Sequence, residues 1–200
     1  LGRYQIKPIT FLSMMRYNPS IISFVLMLMT LTTRWLPPSC YWQANLRYPH
    51  KDWVLSRGSL TAYLIALSRG DFKVRVIHQG WHKPSLDERL TLKLPLAQRA
   101  WVREVALVCQ GEVWVQARSI IPLKVLQGKG RRLRFLGSRS LGSLLFNGGQ
   151  RQEMMIMAAS SKHRSWTRRS RFCYGGQPLL VQETFLPALF AAFHQHKITL

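Results

Sequence analysis

The chain has 200 residues and a mass of 23.2 kDa, with 47% hydrophobic and 18% charged residues. This composition describes one domain with a short appendage, and it excludes a disordered chain, a coiled coil and a collagen-like repeat. Lys and Arg number 29 against 8 Asp and Glu, a net charge of +21; such a chain attracts anions, whether nucleic acid, acidic lipid or small polyanionic metabolites, without choosing among them.

Residues 1–34 read differently from the rest, since no acid occurs before Asp52. The apolar run Ser20–Leu31, with Arg3, Lys7 and Arg16 ahead of it, imitates a signal peptide, but no small-x-small cleavage site follows. It is well short of the roughly 20 residues of a membrane-spanning helix, so no stable membrane insertion is expected. The expectation is a poorly ordered extension over 1–34, with a targeting or interfacial segment as the alternative. Pro37-Pro38 and Tyr48-Pro49 then mark a linker into a domain over 35–190. Ser59 is placed to cap a helix in which Leu60, Tyr63, Leu64 and Leu67 recur at helical spacing, and Gly70 stops it. Phe72–Trp81 alternates as a strand, and 82–99 reads as a mixed loop.

Trp101–Cys109 and Glu112–Ile121 are two β-rich runs joined by Gln110-Gly111, which predicts a hairpin. The basic, glycine-containing stretch 124–139 reads as a loop. A short helix follows from Ser140 to about Gly148, then a strand over Gln152–Ala158. A second hairpin is expected over Thr167–Tyr174 and Leu179–Leu186 across Gly175-Gly176, and residues 191–200 as a frayed tail containing His194 and His196. Helices and antiparallel strands in this order, without a βαβ rhythm, predict an α+β fold with a single antiparallel sheet covered by helices.

Strand parity isolates two charges. Arg103 shares a face with Trp101, Val105 and Leu107, and Glu183 shares one with Leu179, Val181 and Phe185. A carboxylate buried alone shifts its pKa until it protonates, whereas a guanidinium stays charged. Each therefore needs a partner or a polar cavity. Two readings stay open here: Arg103 and Glu183 bridge one another across the sheet, or both line a closed pocket, Arg103 gripping an anion and Glu183 holding a hydroxyl or moving a proton.

The other candidates are weaker. Cys40, Cys109 and Cys173 fit neither a zinc pattern nor a disulfide framework, which points to a reducing compartment. His78, His82 and His163 lack ligand spacing, so no metal site is expected. The 162–171 run (KHRSWTRRSR) could track a nucleic-acid backbone, but its alternation reads as a solvated strand face.

WVREVALVCQGEVWVQARSIIP, RSLGSLLF and WTRRSRFCYGGQPLLVQETFLP, in this order and spacing, resemble the bacterial chorismate pyruvate-lyases, which make 4-hydroxybenzoate for ubiquinone synthesis. The likeness runs from about Trp35 to Phe190. It implies an antiparallel sheet wrapped around an internal, flap-covered ligand site in a monomeric cytoplasmic enzyme that uses no metal or cofactor. Its partners would be the substrate chorismate and the product 4-hydroxybenzoate, with no specific nucleic acid. By resemblance the substrate-contacting arginine falls on Arg103 in W-V-R-E and the glutamate on Glu183 in Q-E-T-F-L-P. Two further contacts fall on Leu141 in S-L-G and on Leu60 in S-L-T, a position commonly methionine in relatives. The alternative is a non-catalytic small-acid-binding sensor domain of similar fold, although nothing in residues 1–50 reads as a helix-turn-helix.

Overall fold

The structure is a computed structural model and describes residues 35–44, 46–158 and 165–198, all within the unit formed by residues 34–200. The expectation for 1–34 lies outside them, as do His163 and part of the 162–171 run.

Six strands form one antiparallel sheet in the order β1-β2-β3-β6-β5-β4. They are β1 (Phe72–His82), β2 (Ala100–Cys109), β3 (Glu112–Pro122), β4 (Gly149–Ala158), β5 (Trp166–Tyr174) and β6 (Gln177–Phe185). The α+β expectation holds, and so do both hairpins. Gln110 (φ 50°) and Gly111 (φ 79°) are both left-handed, as a two-residue turn between twisted strands requires. β6 pairs with β3 as well as β5, so the two hairpins join edge to edge into a single surface.

The helices are α1 (His50–Val54), α2 (Leu60–Leu67), α3 (Leu86–Leu92), α4 (Leu123–Gln127), α5 (Leu141–Gly148) and α6 (Pro187–Ile198), with 3-10 turns at Pro38–Ala44 and Lys129–Phe135. The Ser59 hydroxyl accepts from the Ala62 N–H, so α2 begins where its cap residue predicts. α1, α2 and α6 pack on one end of the sheet's inner face, where Val54, Leu64, Trp114, Phe185 and Leu189 are fully buried. α4, the second 3-10 turn and α5 cover the other end through Val125, Leu133, Leu136 and Leu145.

Three loop or tail assignments need correction. Within 82–99 lies α3, held by a capping box in which the Ser85 hydroxyl accepts from the Glu88 N–H and a Glu88 carboxylate oxygen accepts from the Ser85 N–H. The 124–139 stretch is mostly helical turns, because its scattered Val125, Leu126, Leu133 and Leu136 are all pulled into the core. The boundary at residue 190 falls inside α6, which buries Ala192 and packs Phe193 against the core.

The opposite face of the sheet is covered by α3 and is not the solvated face expected for Arg169. That guanidinium is 3% exposed, donates to Asp87 and Thr91, and stacks 3.8 Å from the Trp35 ring. Beside it, Glu88 accepts from Arg118 at 2.7 Å and from Gln182 at 2.7 Å. Burial raises the carboxyl pKa of both Asp87 and Glu88. The arginine partners outweigh it, and both lie below their ordinary values. A depressed carboxyl pKa adds stability that is complete above the ordinary values of 3.8 and 4.5 and is lost as pH falls through the folded values. Thermal unfolding should therefore hold steady from pH 7 to about 5 and weaken progressively below. Glu88→Gln should flatten part of that acid limb in a series of melting curves.

Candidate active site

Antiparallel pairing carries side chains of one face across neighbouring strands. Arg103 lies opposite Ser119, which lies opposite Val181; Val105 lies opposite Ala117, which lies opposite Glu183; Glu183 in turn lies opposite Arg168 of β5. Arg103, Ser119, Val181 and Glu183 therefore belong to one floor, and the cavity above it is lined by all four residues singled out from sequence: Leu60, Arg103, Leu141 and Glu183. Arg151 and Phe172 complete the floor; Thr61, Ser140, Gly142 and Leu145 join Leu60 and Leu141 in the cover.

The cover is made of two helix starts that meet each other. The hydroxyls of Thr61 in α2 and Ser140, just before α5, are hydrogen-bonded at 2.6 Å. A Cβ on Gly142 would lie 3.3 Å from Thr61 Oγ1, so the absence of a side chain there lets the two helices close over the floor.

Arg103 and Glu183 do not bridge one another. Arg103, 2% exposed, donates from Nη2 to the carbonyls of Gly137 (2.7 Å) and Arg139 (3.1 Å) on the segment leading into α5. Its Nε is buried with no hydrogen-bond partner among the described residues, and burial pushes its pKa below the ordinary guanidinium value. It is thus a desolvated cation held by neutral dipoles, a state that an anion would relieve. Glu183 is instead paired with Arg168, whose Nε lies 2.7 Å from Glu183 Oε2. The Arg168 side chain is 0% exposed and the Glu183 side chain 15%, so the pair sits under the cavity with the carboxylate facing into it. Arg168 Nη1 also donates to the Ser56 carbonyl at 2.7 Å.

Parity could not find Arg168, since a run of arginines resembles a solvated face. Register could have done so: the two-residue Gly175-Gly176 turn places Arg168 directly opposite Glu183. His78 and His82 meet at 2.6 Å on exposed β1. Among the described residues, no three His, Cys, Asp or Glu are gathered so that they could hold a metal ion. Among the same residues no helix is long and apolar enough to cross a membrane.

An antiparallel sheet with an arginine-lined pocket under two meeting helices can enclose an anionic ligand, and the fold recurs in solved structures. The effector domain of PhnF from Mycobacterium smegmatis superposes with a TM-score of 0.50 at 11% identity, covering 66% of this chain and 91% of that one. At that identity the likeness is one of fold. Sequence is more specific: the chorismate lyase family model matches residues 32–195, and the chain belongs to that family. A relative from Methylococcus capsulatus, a probable chorismate pyruvate-lyase, is 42% identical over 156 residues, covering 70% of this chain and 96% of its own. A second bearing the same name, from Pseudomonas savastanoi pv. phaseolicola, is 40% identical over 153 residues, covering 72% and 82%.

Arg168→Met should separate fold from site. Removing one partner of a buried ion pair costs roughly 3–5 kcal/mol. The variant should lose stability on that scale in denaturant unfolding, whereas Arg171→Met, on the half-exposed Glu153 pair, should lose under about 1 kcal/mol.

Proposed function

We infer that the protein is a chorismate pyruvate-lyase, converting chorismate to 4-hydroxybenzoate and pyruvate, the step that feeds ubiquinone synthesis. The observation that carries this is the joining, in one cavity, of the guanidinium and the carboxylate that parity and family resemblance select independently. The names of the relatives at about 40% identity point the same way.

In chorismate the C3–O bond joins the ring to the enolpyruvyl group, and C4 carries both a hydroxyl and a hydrogen. Breaking the C3–O bond and losing the C4 hydrogen as a proton makes the ring a phenol; the departing enolpyruvate takes up a proton and becomes pyruvate. Aromatisation drives the reaction, so the residues need only bind, orient and move one proton. Arg103 grips the ring carboxylate, its fork suited to a planar anion. Glu183, held in place by Arg168, contacts the C4 hydroxyl, and either takes the ring proton or orients its internal transfer. Leu60 and Leu141 close over the ring and exclude water, which strengthens both polar contacts. We place the enzyme in the cytoplasm as a monomer. The sensor alternative loses ground: the sheet it shares with a regulator's effector domain is common to both readings, and the sequence relatives bear the lyase name.

Purified protein given chorismate alone should produce 4-hydroxybenzoate, followed by ultraviolet absorbance. Arg103→Ala should lower kcat/KM by about 10²–10³-fold, the loss of a charge-assisted bidentate contact plus the burial cost of the orphaned anion. Near-normal turnover would remove Arg103 from the site. Glu183→Gln separates the two proton routes: a fall of about 10²–10⁴-fold or more, as general acid–base catalysis contributes, marks a base, and a smaller one marks orientation. The cover predicts slow product escape. Thr61→Val deletes the 2.6 Å contact, worth about 1 kcal/mol net, and should speed 4-hydroxybenzoate dissociation about fivefold in stopped-flow fluorescence.

A further inference from the structure

The cations of the stretch 123–139 take no part in the site described above, and the side chains of this stretch divide by kind. Val125, Leu126, Leu133 and Leu136 are buried in the core. Lys124, Lys129, Arg131, Arg132, Arg134 and Arg139 are all exposed. No acid occurs in the sequence between Glu112 and Glu153. Among the described residues, none of the six cations is paired with a carboxylate. α4 and the 3-10 turn after it pack against one another, so the charges are carried by a folded platform whose aliphatic underside holds it to the sheet.

Two features distinguish this platform from a plain cluster of like charges. Apolar side chains stand among the cations, with Phe135 68% and Leu123 41% exposed, in a stretch whose other large aliphatics are all buried. Arg134 also lies 5.0 Å over the Trp101 ring and 5.8 Å over those of Trp81 and Phe135. The two half-buried indoles meet edge to face at 5.7 Å. Exposed cations interleaved with aromatic and aliphatic side chains suit a boundary between water and hydrocarbon. There the rings enter the headgroup layer while Lys and Arg meet anionic headgroups.

We propose that residues 123–139, together with Trp81 and Trp101, form a docking surface for an anionic lipid bilayer, to which the protein adsorbs reversibly. Adsorption needs no spanning helix, and among the described residues none is long and apolar enough to span. Charge complementarity selects this occupant over a second copy of the chain, which would set the cations against their own kind across a two-fold axis. A nucleic-acid backbone answers the cations alone, whereas Leu123 and Phe135 call for hydrocarbon. The stretch continues through Gly137 and Arg139, whose carbonyls hold Arg103, into α5. The docked face is thus continuous in the chain with the cover of the cavity.

The test is sedimentation of the full chain with phosphatidylcholine vesicles, with and without phosphatidylglycerol. Wild-type protein should bind the anionic vesicles, less as salt rises, and leave the neutral ones alone. Lys124→Gln, Arg131→Gln and Arg132→Gln together should weaken binding about a hundredfold. A charge-matched control, Arg69→Gln, Lys73→Gln and Arg75→Gln, removes three exposed cations around the start of β1, whereas Trp81 lies near its end. It should weaken binding less than about threefold. Phe135→Ser should cost about tenfold. Wild-type protein that ignores anionic vesicles would overturn the proposal. So would equal losses in the two charge-matched variants, which would mean that net charge alone is at work. Binding that survives the first triple variant would place the contact elsewhere in the chain, and a dimer in light scattering that this variant dissolves would assign the face to a second copy. Unchanged binding by Phe135→Ser, with duplex DNA displacing the vesicles, would leave a bare phosphate-attracting patch. Each of these outcomes overturns the proposal and leaves the lyase reading standing, since that reading is tested by turnover of chorismate without lipid.

Discussion

A carboxylate on the inner face of a sheet must be met by a cation, and the pairing of Glu183 with Arg168 on the adjacent strand is the interaction on which the site is built. It takes place in the middle of the sheet, between β6 and β5, and the same arginine reaches back to the carbonyls of Trp53 and Val54 at the end of α1 and of Ser56 just beyond it. One guanidinium thus fixes the Glu183 carboxylate and the entry to a covering helix at once. Arg103 does the matching work at the other end: it is a floor residue whose donors hold the carbonyls of Gly137 and Arg139, and so hold the chain that leads into the second covering helix. The charged floor and the apolar cover are positioned by the same two side chains.

The two faces of the sheet use charge in opposite ways. On the α3 side, Arg118 and Arg169 are matched by Glu88, Glu104 and Asp87, and the resulting network is closed on itself. On the cavity side, positive charge exceeds negative, and the excess is directed inward. The overall charge of +21 says nothing of this difference. It is a property of the surface as a whole and governs non-specific attraction, whereas recognition depends on individual buried cations such as Arg103, whose hydrogen bonds go to carbonyls.

Much of this was legible in the residues. Two-residue turns announced both hairpins, and the alternation of Trp101, Arg103, Val105 and Leu107 was enough to send Arg103 inward. Ser59 and the leucine spacing after it placed α2. The helix at Leu86–Leu92 was equally legible from S-L-D-E, a capping box, but Pro84 and Pro95 on either side favoured a loop. The turns over 123–135 were obscured by composition: lysines, arginines and glycines dominate there, and only tertiary packing reveals that four aliphatic side chains hold the segment down. Arg168 was hidden among like residues, though strand register pointed to it. Arg151 was illegible in principle, because its orientation depends on one irregular residue step in β4 that no periodicity announces.

The clasp over the cavity joins two uncharged hydroxyls, Thr61 and Ser140. Arg103 and Glu183, in the floor below it, are held through charged groups. Dissolved electrolyte screens charges in solvent far more than buried ones and leaves a neutral contact almost untouched, so ionic strength acts on the approach of a doubly charged guest and hardly at all on the hydroxyl contact above the cavity.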